Sequence, residues 1–141
     1  MFSTIVVGTD GSESANAAVE RAGELAAICG GTLHLVFGCG EPAIASASVV
    51  GIPVAPVSTE DLEAEFESQA AAVRAKGVEV QIHVVRSSGP DAVLSAAENL
   101  EADLIVVGNR GMTGTRRFLL GSVPNAVSHH SPCSVLIIHT T

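Results

Sequence analysis

The sequence predicts an α/β protein, a single doubly wound, Rossmann-like domain over residues 1–141 with a five-stranded parallel sheet in the order 3-2-1-4-5. Three observations carry this reading. Thr4 to Gly8 (TIVVG) and Leu104 to Gly108 (LIVVG) are continuous apolar runs, as strands covered on both faces require. Stretches with helical spacing stand between such runs, and right-handed crossovers then wind the helices over both faces. Glycine turns follow the first and fourth strands, so both turns lie at one carboxyl edge beside the switch point.

The first strand stops at Thr9-Asp10-Gly11-Ser12. Ser12 is placed to cap a helix, Glu13 complements its dipole, and Ala15, Ala18, Val19, Ala22, Leu25, Ala26 and Cys29 form its apolar stripe up to Gly30-Gly31. Thr32 to Phe37 (TLHLVF) is the second strand. His34 within it has no metal-ligating neighbour at useful spacing and is read as structural. Residues 41 to 58 hold prolines at 42, 53 and 56, which forbid a long helix; the segment is either a lid or a mere connection.

Thr59 to Lys76 follows as a helix, with Leu62, Phe66, Ala70 and Val73 on one face and an acidic face opposite. Val78 to Val85 alternates as a third strand near a sheet edge, and His83 within it carries no signal of its own. Ser88-Gly89-Pro90-Asp91 opens the next helix, with Val93, Leu94, Ala97 and Leu100 turned inward. A last helix runs from Ser122 to His130, and Cys133 to His139 is the fifth strand. Zinc binding by His129, His130 and Cys133 is disfavoured, because adjacent helical residues point about 100° apart.

At 141 residues the chain is long enough for one core, and 47% hydrophobic content without tryptophan or tyrosine makes that core aliphatic. A net charge of −8 opposes binding to nucleic acid or an anionic membrane. Three cysteines without a CxxC spacing argue for reduced thiols, and no apolar run approaches the length of a membrane span. The expected location is cytoplasmic.

The chemistry concentrates between Leu104 and Val123. Gly108 and Gly111 are followed, nine residues later, by Gly121-Ser122 at a helix start. Bare backbone N–H groups there would approach an anion, and the helix N-terminus adds roughly half a positive charge. Arg110, Arg116 and Arg117 bring three of the seven basic residues into the same segment. The spacing is neither a Walker A loop, for want of a lysine, nor a GxGxxG fingerprint.

This GxxG, nine residues, Gly-Ser arrangement resembles the nucleotide-binding motif of the universal stress protein family. TIVVGTDGSESANAAVERAGELA and LLGSVPNAVSHHSPCSVLII resemble that family's opening and closing blocks, so the likeness covers about half the chain. It implies an adenine nucleotide, ATP or cyclic AMP, with magnesium or manganese accompanying ATP in some members. It further implies that Gly8, Thr9, Asp10 and Gly38 hold base and ribose, that Val107 and Gly108 line the strand end, and that Gly111, Gly121, Ser122 and Val123 hold the phosphates, with Arg110 at a position the family often fills with basic or polar residues. Asn109 stands where the family more often has serine. A homodimer through the C-terminal strand and a stress-response or regulatory role are implied as well.

Asp10 alternatively serves only as a turn-forming Asx residue. No Asp, Glu or His lies between Asp103 and His129 to orient a water molecule, so ATP hydrolysis is expected to be marginal at most. The competing readings are a slow ATP-hydrolysing or nucleotidyl-transfer enzyme of the same architecture, and a dimeric structural module in which the glycines are turns alone.

Overall fold

A computed structural model describes residues 1–39, 59–109 and 122–140. The 41–58 segment, Arg110, Gly111 and Gly121 therefore lie outside the described residues, as does the side chain of Ser122. The elements are β1 (Thr4–Gly8), α1 (Glu13–Cys29), β2 (Thr32–Gly38), α2 (Thr59–Arg74), β3 (Val80–Val85), α3 (Gly89–Asn99), β4 (Leu104–Gly108), α4 (Ser122–His130) and β5 (Ser134–Ile138). The sheet order is β3-β2-β1-β4-β5, parallel throughout, as the sequence predicts.

The central runs are apolar at every position because each strand feeds two cores. Ile5, Val7, Leu33, Leu35, Leu104 and Val106 pack with α1 and α2 through Ala18, Ala22, Phe66, Ala70 and Val73. Val6, Val36, Ile105 and Val107 face α3 and α4 through Ala92, Val93, Ala97 and Val127. Handedness explains the division. The chain steps from β1 outward to β3 and then crosses back to β4, and a right-handed crossover in the opposite direction lays its helix on the opposite face. Among the described residues no helix is long and apolar enough to cross a membrane.

Helix ends follow the sequence signals. The Ser12 hydroxyl accepts from the Ala15 N–H at 3.1 Å, and Gly30 closes α1 at φ 67°. Ser88 accepts from the Asp91 N–H at 3.3 Å, with Pro90 in the first turn of α3. Several boundaries differ from expectation: α2 ends at Arg74 instead of Lys76, and β5 spans Ser134–Ile138 instead of Cys133 to His139. β3 begins at Val80 although Val78 is buried beneath α2, and β2 runs on through Gly38 because its pairing with β3 extends to Val85.

The histidines differ more. His34 is buried, as a structural histidine should be, but its partner is His83, whose ring the sequence left without a role. His34 Nδ1 lies 3.0 Å from His83 Nε2, diagonally across the β2–β3 ladder in which Val36 pairs with His83. One N–H stands between the two nitrogens, and a second proton there would place two cations in contact. Burial lowers both pKa values below the usual 6.5; at His34 the neighbouring His83 lowers it further while Glu79 opposes, and at His83 Glu63 opposes.

The folded protein thus takes up these protons less readily than the unfolded chain. Stability from the neutral pair is complete above pH 6.5 and is lost as pH falls from there through the lower folded values. The urea midpoint is expected to drop between about pH 7.5 and about pH 5.5, and to drop less in His83→Gln, which removes one of the two titrating rings. Parallel pH profiles for the two proteins would show that the pair contributes nothing to the drop.

Candidate functional site

In an all-parallel sheet every strand ends at the same edge as the following helix begins. The carboxyl ends of β1 and β4 are neighbours here, with Val7 paired to Val106, and the helices that follow the two strands, α1 and α4, pack on opposite faces. A crevice opens where chains diverge in this way, and open α/β sheets bind ligands there. The sequence-derived residues within the described structure all map to this edge: Gly8, Thr9 and Asp10 leave β1, Gly38 closes β2, Val107 and Gly108 end β4, and Ser122 and Val123 open α4.

Thr9 is held on three sides. Its N–H donates to the Val36 carbonyl at 2.9 Å, its hydroxyl oxygen accepts from the Gly11 N–H at 3.2 Å, and Oγ1 lies 3.5 Å from Gln69 Oε1. Gln69 Nε2 in turn bonds Asn16 Oδ1, so α2 and α1 are both fastened to the turn. Gly11 has φ 79°, a conformation that favours glycine, and the Phe66 ring stands 3.5 Å from where its Cβ would be. Asp10 is exposed, and its Oδ1 accepts from the Ser12 N–H at 2.9 Å. The Asx role is therefore real.

Gly38 and Gly8 have structural reasons for lacking side chains. A Cβ on Gly38 would stand 2.8 Å from the Ser88 carbonyl oxygen and 2.9 Å from both the Ser87 oxygen and Gly89 Cα. One on Gly8 would meet Val93 Cγ2 at 2.8 Å. The side chain of Val107 is buried in the α3–α4 core, so only its backbone faces the edge, and Val123 packs partly against the same core. Cys39 continues from Gly38, its N–H bonded to the Val85 carbonyl at 3.0 Å.

Two features escaped sequence reasoning. Asn109, one residue past β4, bonds Thr140 through its side chain, and Thr140 touches Ser14. Asn109 was visible as a departure from the resembled motif, but nothing in the sequence indicated Thr140 as its partner. The His34–His83 pair depends on strand register, which composition does not reveal. Among the described residues no three His, Cys, Asp or Glu side chains converge to hold a metal ion.

Residues 1–139 match the universal stress protein family. The chain belongs to that family. It is 34% identical over 146 residues to the universal stress protein Rv1636 of Mycobacterium tuberculosis, covering 99% of this chain and 98% of that one. It is 30% identical over 148 residues to the universal stress protein YxiE of Bacillus subtilis, covering 98% and 99%. A universal stress protein solved in complex with cAMP shares 33% identity and superposes with a TM-score of 0.75, covering 99% of this chain and 98% of the other.

Proposed function

We propose that this universal stress protein binds an adenine nucleotide, cyclic AMP or ATP, at the carboxyl edge between β1 and β4, and acts by carrying it in a regulatory or stress-response role. The observation that carries the reading is the junction of Thr9-Asp10 with Gly108 at the switch point, in a chain 33% identical to a universal stress protein solved with cAMP. Thr9, Asp10 and the backbone at Gly38 serve base and ribose. Val107 and Gly108 line the strand end, and Arg110, Gly111, Gly121, Ser122 and Val123 serve the phosphates, where backbone N–H groups and the dipole of α4 favour negative charge. Magnesium or manganese accompanying ATP would supply charge neutralisation at the phosphates.

The reading is of a carrier and not of an enzyme. Thr9 and Asp10 hold the turn through hydrogen bonds, and no Asp, Glu or His lies between Asp103 and His129 to orient a water molecule. Dimerisation belongs to the same proposal. β5 is an edge strand whose Val135, Leu136, Ile137 and Ile138 form an apolar run, with Leu136 38% exposed, and pairing with a second copy would cover it.

Calorimetric titration with cyclic AMP, ATP and GTP tests the central claim. One or both adenine nucleotides are expected to bind with GTP clearly weaker, because Asp10 would accept from the adenine C6 amine, where guanine carries a carbonyl oxygen that a carboxylate repels. Equal affinity for GTP overturns the assignment. On the same preparation, phosphate release from ATP on the order of 1 per second or faster places the protein among ordinary enzymes and refutes the carrier reading. A monomer at micromolar concentration in sedimentation removes the dimer.

A further inference from the structure

Asn109 is the residue that leads from β4 towards the glycine segment, and it is tied down more heavily than its place in the chain requires. Its N–H donates to the Ile138 carbonyl at 2.9 Å, just past the last paired residues of β4 and β5. Its side-chain oxygen accepts twice from a single residue, from the Thr140 N–H at 2.9 Å and from Thr140 Oγ1 at 2.8 Å. Thr140 Oγ1 is also 2.5 Å from Ser14 Oγ. Since the threonine proton goes to Asn109, Ser14 is the donor in that contact.

Three segments remote in sequence therefore meet at one hydroxyl: the exit of β4, the chain after β5 and the first turn of α1. The first and third of these flank the candidate crevice. Thr140 itself lies outside the sheet, past the end of β5.

We propose that Asn109 is a positioning residue for the nucleotide, acting through Thr140 and Ser14 to hold the exit of β4 at a set distance from the turn that carries Thr9 and Asp10. The proposal rests on the nucleotide-carrier reading. Its physical basis is preorganisation. A phosphate held by backbone groups after β4 and a base held after β1 need a fixed separation, and a chain already fastened gives up less freedom on binding than one that must be ordered by the ligand.

The test compares the full chain with Thr140→Val and Thr140→Ser, titrating ATP and cyclic AMP and recording melting temperatures. Valine keeps the shape and loses the hydroxyl, whereas serine keeps the hydroxyl. Thr140→Val, which loses the hydroxyl's bonds to both Asn109 and Ser14, is expected to weaken binding about three- to tenfold, with its melting temperature little changed. Thr140→Ser is expected to bind like the parent. A valine variant that binds as tightly as the parent overturns the proposal while leaving the carrier reading intact. A serine variant as weak as valine overturns it too, as does a melting temperature lowered by valine and restored by serine without any change in affinity. A parent that binds neither nucleotide sinks the carrier reading, and this proposal with it.

Discussion

Gly121→Asp is expected to abolish nucleotide binding while leaving the protein as stable as its parent. The two halves of this result have one cause. Residue 121 precedes Ser122, the first residue of α4, so an aspartate there lies beside the positive end of the helix dipole and among its unsatisfied N–H groups. For the fold that is favourable by roughly 0.3–1 kcal/mol. For a phosphate it is adverse twice, because the carboxylate takes the donors the ligand needs and repels it. At about 4 Å and an effective dielectric near 20, each pair of unit charges costs about 4 kcal/mol, on the order of a thousandfold in affinity. Calorimetry and a denaturant melt on one sample decide the matter. Loss of cooperative unfolding together with binding makes the glycine a structural turn; retained binding removes it from the site. Gly121→Asn, of similar size and uncharged, is expected to keep part of the affinity.

Gly38→Ala is expected to cost about 1–3 kcal/mol of stability, the usual range for forcing an added carbon into a packed interior. The added Cβ meets the Ser88 and Ser87 carbonyl oxygens and Gly89 Cα, all backbone atoms of the turn between β3 and α3. No side-chain rotation relieves such contacts, so β2 and the N-terminus of α3 must move apart. Gly8→Ala meets only the side-chain methyl of Val93, which has some freedom to give way. The urea midpoint should fall with the slope unchanged, as for a loss of stability without a change in the surface exposed on unfolding. An unaltered midpoint would show that the turn yields without cost, leaving Gly38 with a ligand role alone.

The outcome at Gly38 bears on how the sequence is to be read. A glycine at a strand end in a nucleotide-binding motif invites a ligand explanation, and the structure supplies a packing explanation for the same residue. Asp10 has a similar double character, since its Asx bond to Ser12 shapes the turn whether or not a nucleotide is present. Thr9 is pinned by Val36, Gly11 and Gln69, contacts that require β2 and α2 to be in place.

The sequence by itself determined the element order, the strand order and the edge at which the candidate residues gather. These follow from local signals that survive without tertiary contacts: TIVVG and LIVVG demand burial on both faces, Ser12 and Ser88 cap helices from within one turn, and handed crossovers leave few windings to choose from. Only the tertiary structure decided the His34–His83 pair, the close approach at Gly38 and the fastening of Asn109 to Thr140. Each depends on strand register or on the distance between elements whose residues lie 31 to 51 positions apart, to within an ångström or so. Hydropathy and spacing specify which face a residue presents; the packing of whole strands and helices sets which atoms then touch.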